Sequence, residues 1–182
     1  QDGNELQTKS GNWGLVSFED GDKKVAKRSE LIVVGSLVDK APNLGGICRL
    51  CEVLGVKKLT IFDKKMIKDK EFKRVSVTSE EWLDIEEVRE DEIRAYILEK
   101  KNQEGYCLIG LEQTDNSIEL NQKLCFPEKS LIVIGKEREG IPGSLLAELD
   151  FCVEIKQSGI IRSMNIQTAT AVIVHAYSIQ HG

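Results

Sequence analysis

No apolar run in this chain is long enough to cross a bilayer. The longest, Ala169 to Ala176, falls far short of the ~20 residues a spanning helix needs, and it contains His175. No charged stretch followed by an apolar one, the pattern of a secretory leader, opens the sequence. The expected compartment is therefore the cytosol or the nucleus, with no membrane partner. The five cysteines are odd in number and sit inside apolar segments, which fits reduced thiols better than a disulfide framework. One CxxC occurs, Cys48 to Cys51, without a second and without a nearby histidine pair. Such a pair leaves a tetrahedral metal two ligands short. On a helix the two thiols lie one turn apart among apolar neighbours, so they read as core cysteines, and no metal is expected. Phosphate-binding signatures are missing too. The absence of GxGxxG removes support for a dinucleotide-dependent dehydrogenase. Gly135 to Gly140 has the glycine spacing of a P-loop, but Ile141-Pro142 stands where Lys-Ser/Thr is required.

Positive charge is also in deficit. The net charge of −5 by itself argues against a nucleic-acid partner. Its distribution argues less strongly, because Lys64 to Arg74 is a basic block and Glu80 to Glu92 an acidic one. The plain reading of each is a solvated helix face. The sharper reading of the basic block is a phosphate contact that would weaken with salt.

What is present is enough for one domain with a real core: 182 residues, 41% of them apolar. Residue 1 is Gln, and the chain is expected to be a piece of a longer or processed protein. Residues 1–28 are polar and read as an extension or linker, with Trp13, Leu15, Val16 and Phe18 as the available anchors. Residues 29–182 form the domain. Leu31 to Gly35, Lys58 to Phe62, Tyr106 to Leu111, Leu131 to Gly135 and Phe151 to Ile155 read as buried strands, and Asp84 to Val88 as a short one. Helices fit Asn43 to Leu54, ended by Gly55, Asp91 to Lys101, Gly143 to Leu149 and Asn165 to Ile179. No internal repeat and no low-complexity segment interrupts this order. The alternation implies an α/β fold: a mostly parallel sheet with helices on both faces. The final helix carries apolar residues nearly all round, which predicts burial on all sides, part of it against another subunit. Within it His175 reads as a hydrogen-bonded core histidine, and His181 carries no signal.

Three short segments look like parts of one site, because each follows a strand and leads towards a helix. Such loops gather at the carboxyl edge of a parallel sheet. In Asn43-Leu44-Gly45-Gly46-Ile47-Cys48-Arg49 the glycines stand at the expected start of a helix, where free N–H groups favour an anion. Asn43 could cap that helix or bond a phosphate, and Arg49 adds a planar charge. The plain alternative is close glycine packing. In Gly135-Lys136-Glu137-Arg138-Glu139-Gly140-Ile141-Pro142 a glycine turn holds Glu137 beside a strand end. That carboxylate could face a cationic ligand, cap a helix or orient a neighbour. In Ser163-Met164-Asn165 either polar residue could be the N-cap of the last helix.

In this order and with these flanking strands, the three segments resemble the signature motifs of the SpoU-type RNA ribose 2′-O-methyltransferases of the SPOUT superfamily, over roughly residues 31–180. The resemblance implies a deep trefoil knot in the C-terminal part and an obligate homodimer with its site at the subunit interface. It implies S-adenosyl-L-methionine as methyl donor, S-adenosylhomocysteine as product, and an RNA substrate, with tRNA and a guanosine ribose favoured. Cofactor contacts would come from Leu111, Ile134, Gly135, Gly140, Ile155 and Met164, largely through backbone. Met164 stands where the family usually has Leu, a swap of similar volume. Catalytic and RNA-side residues would be Asn43, Arg49, Glu137, Ser163 and Asn165.

The implied reaction is an in-line attack of a ribose 2′-hydroxyl on a sulfonium methyl, without metal. The family account makes the arginine, here Arg49, the base. A guanidinium holds its proton above pH ~12, so Arg49 reads instead as the cation that fixes phosphate and stabilises the developing alkoxide. The proton then leaves through Ser163, Asn165 or water. Two rival readings stay open: a catalytically silent RNA- or cofactor-binding module of the same fold, and a non-RNA α/β enzyme acting on phosphate-bearing small molecules.

Overall fold

The structure is a computed structural model, and it describes residues 27–161 and 163–182. The anchors considered between Trp13 and Phe18 lie outside the described residues. Arg28 already belongs to the fold, donating to the Val56 carbonyl at 3.1 Å and pairing with Glu52.

The strands are β1 (Ile32–Val34), β2 (Lys58–Ile61), β3 (Asp84–Glu87), β4 (Cys107–Leu111), β5 (Ile118–Glu119), β6 (Ser130–Ile134) and β7 (Phe151–Glu154). They form one seven-stranded sheet in the order β3-β2-β1-β6-β4-β7-β5. Each of its pairings is parallel. The helices are α1 (Ala41–Val53), α2 (Lys70–Ser76), α3 (Ile93–Glu104), α4 (Gly143–Leu146) and α5 (Ile166–His181). Side chains alternate across the central strands and so build two cores. Leu31, Val33, Ile132 and Ile134 join α1, α2 and α5 on one face. Ile32, Val34, Leu131 and Val133 join α3 and α4 on the other. The expected fold class, a parallel sheet covered on both faces, is what forms.

Several local expectations need correction. α1 begins before Asn43, at Ala41-Pro42, with Lys40 as a cap that makes no side-chain bond. Proline in the first turn loses no hydrogen bond, which is why the helix starts there. Gly45 and Gly46 therefore lie inside the helix, not at its free N-terminus. A Cβ on Gly45 would meet the Phe72 carbonyl of α2 at 2.5 Å, and one on Gly46 would collide with the Gln167 side chain of α5. These glycines allow two helices to approach a third, so close packing is the correct reading of the pair. Gly55 does end the helix, at φ +70, with Val56 N–H bonding back to Cys51 at 2.9 Å. Cys48 and Cys51 are fully buried in α1. Burial pushes the Cys48 thiol up to about 11 and Cys51 well above its ordinary value.

The acidic block is not a helix face. It spans β3 at the sheet edge, where Glu86 pairs with Lys58 at 3.0 Å and the Glu87 carboxylate accepts from Lys64 N–H at 3.0 Å. Charge on an edge strand discourages pairing with another chain. The basic block forms a 3-10 turn, Lys64–Lys68, and then α2, which Asp69 caps through the N–H groups of Glu71 and Phe72. Its Lys65, Lys68, Lys70 and Lys73 are exposed.

α5 is not buried on all sides. Thr170, Ile173, Val174 and Tyr177 face the core, while Val172 and Ile179 keep 38% and 72% exposure. His175 is exposed on the same outward face, so the reading of a core histidine is wrong for this chain. The inward face is clamped over residues 124–128, the approach to β6. Tyr177 donates its hydroxyl to the Glu128 carbonyl at 2.6 Å, and Gln180 bonds the Phe126 N–H and the Leu124 carbonyl, each at 2.7 Å. No helix among the described residues is long and apolar enough to cross a membrane.

Candidate active site

The loops after β4, β6 and β7 meet at the carboxyl edge of the sheet, where the α1 N-terminus and the approach to α5 also arrive. The β6 loop is the tightest. Lys136 and Gly140 exchange two backbone hydrogen bonds of 3.0 Å each, closing a five-residue turn. Gly140 sits at φ +71, a conformation side chains resist. A Cβ on Gly135 would meet the Gly140 carbonyl carbon at 2.6 Å, so the base of the turn also requires glycine. Glu112, just past β4, braces the turn by accepting the Ile141 N–H at 2.8 Å. Glu112 carries no motif of its own in the sequence. The available signal was a carboxylate directly after a buried strand.

Around this turn lies a cavity of about 240 Å³. Leu111, Gly135, Gly140, Ile155 and Met164 line it, as does Ser163. Val153, Ile166 and Ala169 add apolar wall, and Glu112, Glu137 and Glu154 add carboxylates. Ile134 differs from the other five expected cofactor contacts. It is wholly buried in the core, one residue before the wall. Apolar walls beside carboxylates and bare glycine backbone suit a ligand with a flat apolar part, hydroxyls and a cationic group. The donor set of this cavity therefore fits a nucleoside sulfonium.

The three motif segments converge beside the cavity. Asn165 caps α5, its Oδ1 accepting from Gln167 N–H at 2.8 Å and Thr168 N–H at 3.4 Å. Its Nδ2 also donates to Asn43 Oδ1 at 3.5 Å, across 122 residues of sequence. Asn43 in turn donates through Nδ2 to Glu137 Oε1. The other oxygen of Glu137 pairs with Lys40 at 3.0 Å. Asn43 thus orients a carboxylate rather than capping its own helix, and Asn165 serves as cap and as link together. Next along the loop, the Glu90 hydrogen bond raises the Lys136 pKa and keeps the ammonium charged.

Arg49 stands apart from this chain of bonds. It is exposed, and it makes no hydrogen bond or ion pair among the described residues. Its place follows from helix geometry. Residues three and four apart share a helix face, so Arg49 lies one turn beyond Gly45 and Gly46. Those glycines touch α2 and α5, so Arg49 lies on the side of α1 that faces these two helices. A free guanidinium there is available to an anion brought from outside.

The chain is similar to known proteins over most of its length. The chain is 61% identical over 178 residues to a tRNA (guanosine(18)-2′-O)-methyltransferase of Saccharomyces cerevisiae, covering 97% of this chain and 12% of that protein. It is 47% identical over 166 residues to tRNA (guanosine(18)-2′-O)-methyltransferase TARBP1 of Mus musculus, covering 91% of this chain and 10% of that protein. The chain thus spans only about a tenth of the length of either relative. The crystal structure of the Aquifex aeolicus TrmH/SpoU tRNA modifying enzyme superposes with a TM-score of 0.73 at 23% identity, over 86% of this chain and 78% of that one. That of the SpoU methyltransferase AviRb from Streptomyces viridochromogenes, in complex with the cofactor AdoMet, gives 0.69 at 20% identity over 88% and 64%. A family model for the SpoU rRNA methylases matches residues 30–175. That span takes in every strand of the sheet and all three segments, and the chain belongs to the SpoU rRNA Methylase family.

Proposed function

We propose that this domain transfers a methyl group from S-adenosyl-L-methionine to the ribose 2′-hydroxyl of a guanosine in tRNA, the position being that named for its relatives, guanosine 18. The observation that carries the reading is the Asn165–Asn43–Glu137 chain of hydrogen bonds beside the cavity. It joins three distant segments around one point, which a packing motif alone would not require.

The cofactor would lie against Leu111, Gly135, Gly140, Ile155 and Met164 and would supply a methyl group already activated on a sulfonium. The chain's own residues do the rest. Arg49 binds the substrate phosphate and stabilises negative charge on the attacking oxygen. A guanidinium keeps its proton at neutral pH, so Arg49 is not the base. Asn165 Oδ1 is committed to two N–H groups, which leaves the Ser163 hydroxyl on the cavity wall, or water, to take the proton. Asn43 and Lys40 hold Glu137 in one orientation. Holding reactants in line contributes ~7–11 kcal/mol in favourable cases, so a site without metal suffices.

Two structural readings accompany this one. The C-terminal part forms a deep trefoil knot, an otherwise rare topology. Insertion of β7 between β4 and β5 and the clamp of α5 over residues 124–128 support it. The domain also acts as a homodimer, with the site completed at the interface. The outward face of α5, with Val172, His175 and Ile179, supports this, and Val53 of α1 adds 73% exposure. Dimerisation brings two basic blocks to one tRNA, a local positive surface on a chain whose net charge is −5. The reaction belongs to the cytosol or nucleus.

The test is to incubate the chain with unmodified tRNA and methyl-labelled cofactor and to map the modified ribose. Label on the 2′-oxygen of one guanosine is the expected result. Cofactor binding without transfer would instead identify a silent module.

A further inference from the structure

A second cavity, of about 350 Å³, lies on the other side of the β6 loop. It is lined by Ser36, Leu37 and Asp39 after β1, by Phe62 and Asp63 after β2, by Arg89 and Glu90 after β3, and by Lys136 and Glu139 of the β6 loop. Strand order explains it. From β1 the chain builds outward to β2 and β3 on one side, while β6 and β4 lie on the other. The β1–β6 boundary is therefore a switch point, where an open α/β sheet leaves a ligand crevice at its carboxyl edge. The proposed methyl-donor site occupies the neighbouring position, beyond β6. The switch-point crevice has no role in the chemistry described so far.

Its chemistry is specific. Phe62 is half-buried and puts an aromatic residue in the crevice lining. Asp39 is exposed and makes no hydrogen bond or ion pair among the described residues, acting on Lys136 only through its charge. Asp63 is partly engaged, its Oδ1 accepting from Lys65 N–H at 2.8 Å. Lys136 and Glu90 close the rim with a 2.8 Å ion pair. Arg89 brings further donors. A ring, a free carboxylate and a guanidinium are the groups that stack on a base and read an edge carrying donors beside an acceptor. Guanine presents two N–H donors beside O6, whereas adenine presents a single donor group beside an acceptor nitrogen.

The crevice is also in the right place. Lys136 lines both cavities. Asp39 precedes Lys40, whose ammonium holds Glu137, and Asp63 opens directly into the basic block. A nucleotide strand could thus run from Lys64 and Lys65 to Arg49, with one base turned into the crevice and its ribose beside Asn165.

We infer that the crevice at the β1–β6 switch point is the purine pocket of this domain, with Asp39 accepting from the guanine N1–H and 2-amino groups and Phe62 stacking on the ring. This inference rests on the proposed methyl transfer for its biological meaning, but not for its test. Guanosine 5′-monophosphate titrated into the labelled protein should shift the amide signals of Asp39, Asp63 and Arg89. Asp39→Asn should weaken that binding about 10-fold, the order of one lost base contact, and adenosine 5′-monophosphate should bind the wild type less well. With tRNA transcripts, replacing the target guanosine by inosine, which lacks the 2-amino group, should lower kcat/KM for the wild type. Asp39→Asn should then bring the guanosine-to-inosine ratio close to one, with cofactor affinity unchanged. A ratio that survives Asp39→Asn would overturn the inference, and so would shifts confined to the Leu111–Gly135 cavity. If no tRNA is methylated at all, the proposed reaction fails, and the nucleotide titration decides the pocket by itself.

Discussion

Two glycine-bearing segments of this molecule look alike in sequence and do opposite things. In residues 43–49 the glycines are packing devices inside α1, and the side chains carry the proposed chemistry. Asn43 reaches Glu137, and Arg49 lies on the side of α1 that faces α2 and α5. In residues 135–140 the glycines shape the backbone itself, folding it into a turn that walls the cavity. A glycine pair near a strand end does not announce a ligand. What matters is whether the missing Cβ would have met a neighbouring helix or the turn's own backbone.

Substitutions can break that comparison. The largest effect is expected from Arg49→Ala, which removes a side chain from the segment whose glycines only pack. Methyl transfer to tRNA should fall by 10²–10³, or about 2.7–4 kcal/mol, the usual cost of removing one group that stabilises developing negative charge. The thermal midpoint should hardly move, because the guanidinium makes no hydrogen bond or ion pair among the described residues. Turnover near the wild-type level would remove Arg49 from the mechanism.

Next come paired glycine substitutions. Gly45→Ala should lower stability by about 1–3 kcal/mol, the range for overpacking, because its Cβ meets the Phe72 backbone. Calorimetry should still show cofactor binding. Gly135→Ala should cost a similar amount and also abolish cofactor affinity, since the turn it breaks is the cavity wall. If both variants lost affinity equally, the contrast between the segments would collapse. Gly46→Ala should be milder than either, because the obstructing Gln167 side chain can turn away.

Gly55→Ala isolates the backbone contribution. Nothing stands within 4 Å of its Cβ position, but φ is +70. A cost of about 1 kcal/mol is expected from conformation alone, readable in denaturant unfolding.

The smallest effect lies far from both segments. Burial works against the Asp150 carboxylate, but Lys101 and the Leu108 N–H outweigh it and hold the pKa below its ordinary 3.8. A depressed carboxylate stabilises the fold above that ordinary value and loses its contribution as pH falls through the folded value. Asp150→Asn should therefore lower stability slightly at neutral pH and flatten the acid limb below pH 3.8, leaving methylation unchanged.

Much of the fold was legible in advance because parallel strands covered on both faces must be continuous apolar runs. Leu31 to Val34 and Leu131 to Ile134 could hardly be anything else. The two-residue β5 was not legible, since Ile118–Glu119 has no pattern of its own and pairs only because Val153 and Glu154 lie beside it. His175 was misread for a related reason. An apolar helix indicates that burial is needed, not which of its faces this chain supplies. The candidate site residues were legible as types and spacings, but the bracing Glu112 was not, because its bond to the Ile141 N–H exists only once the Gly140 turn has formed against it.

Local chemistry alone settled the buried apolar strands, the presence of the last helix, and the polar residues worth watching, because propensity, capping and alternation act over a few residues. The folded arrangement decided that Asn43 meets Glu137 across 94 residues, that Gly45 serves α2, and that a crevice opens between β1 and β6. Those outcomes depend on strand order and on which helix lands against which, and no short-range preference encodes either.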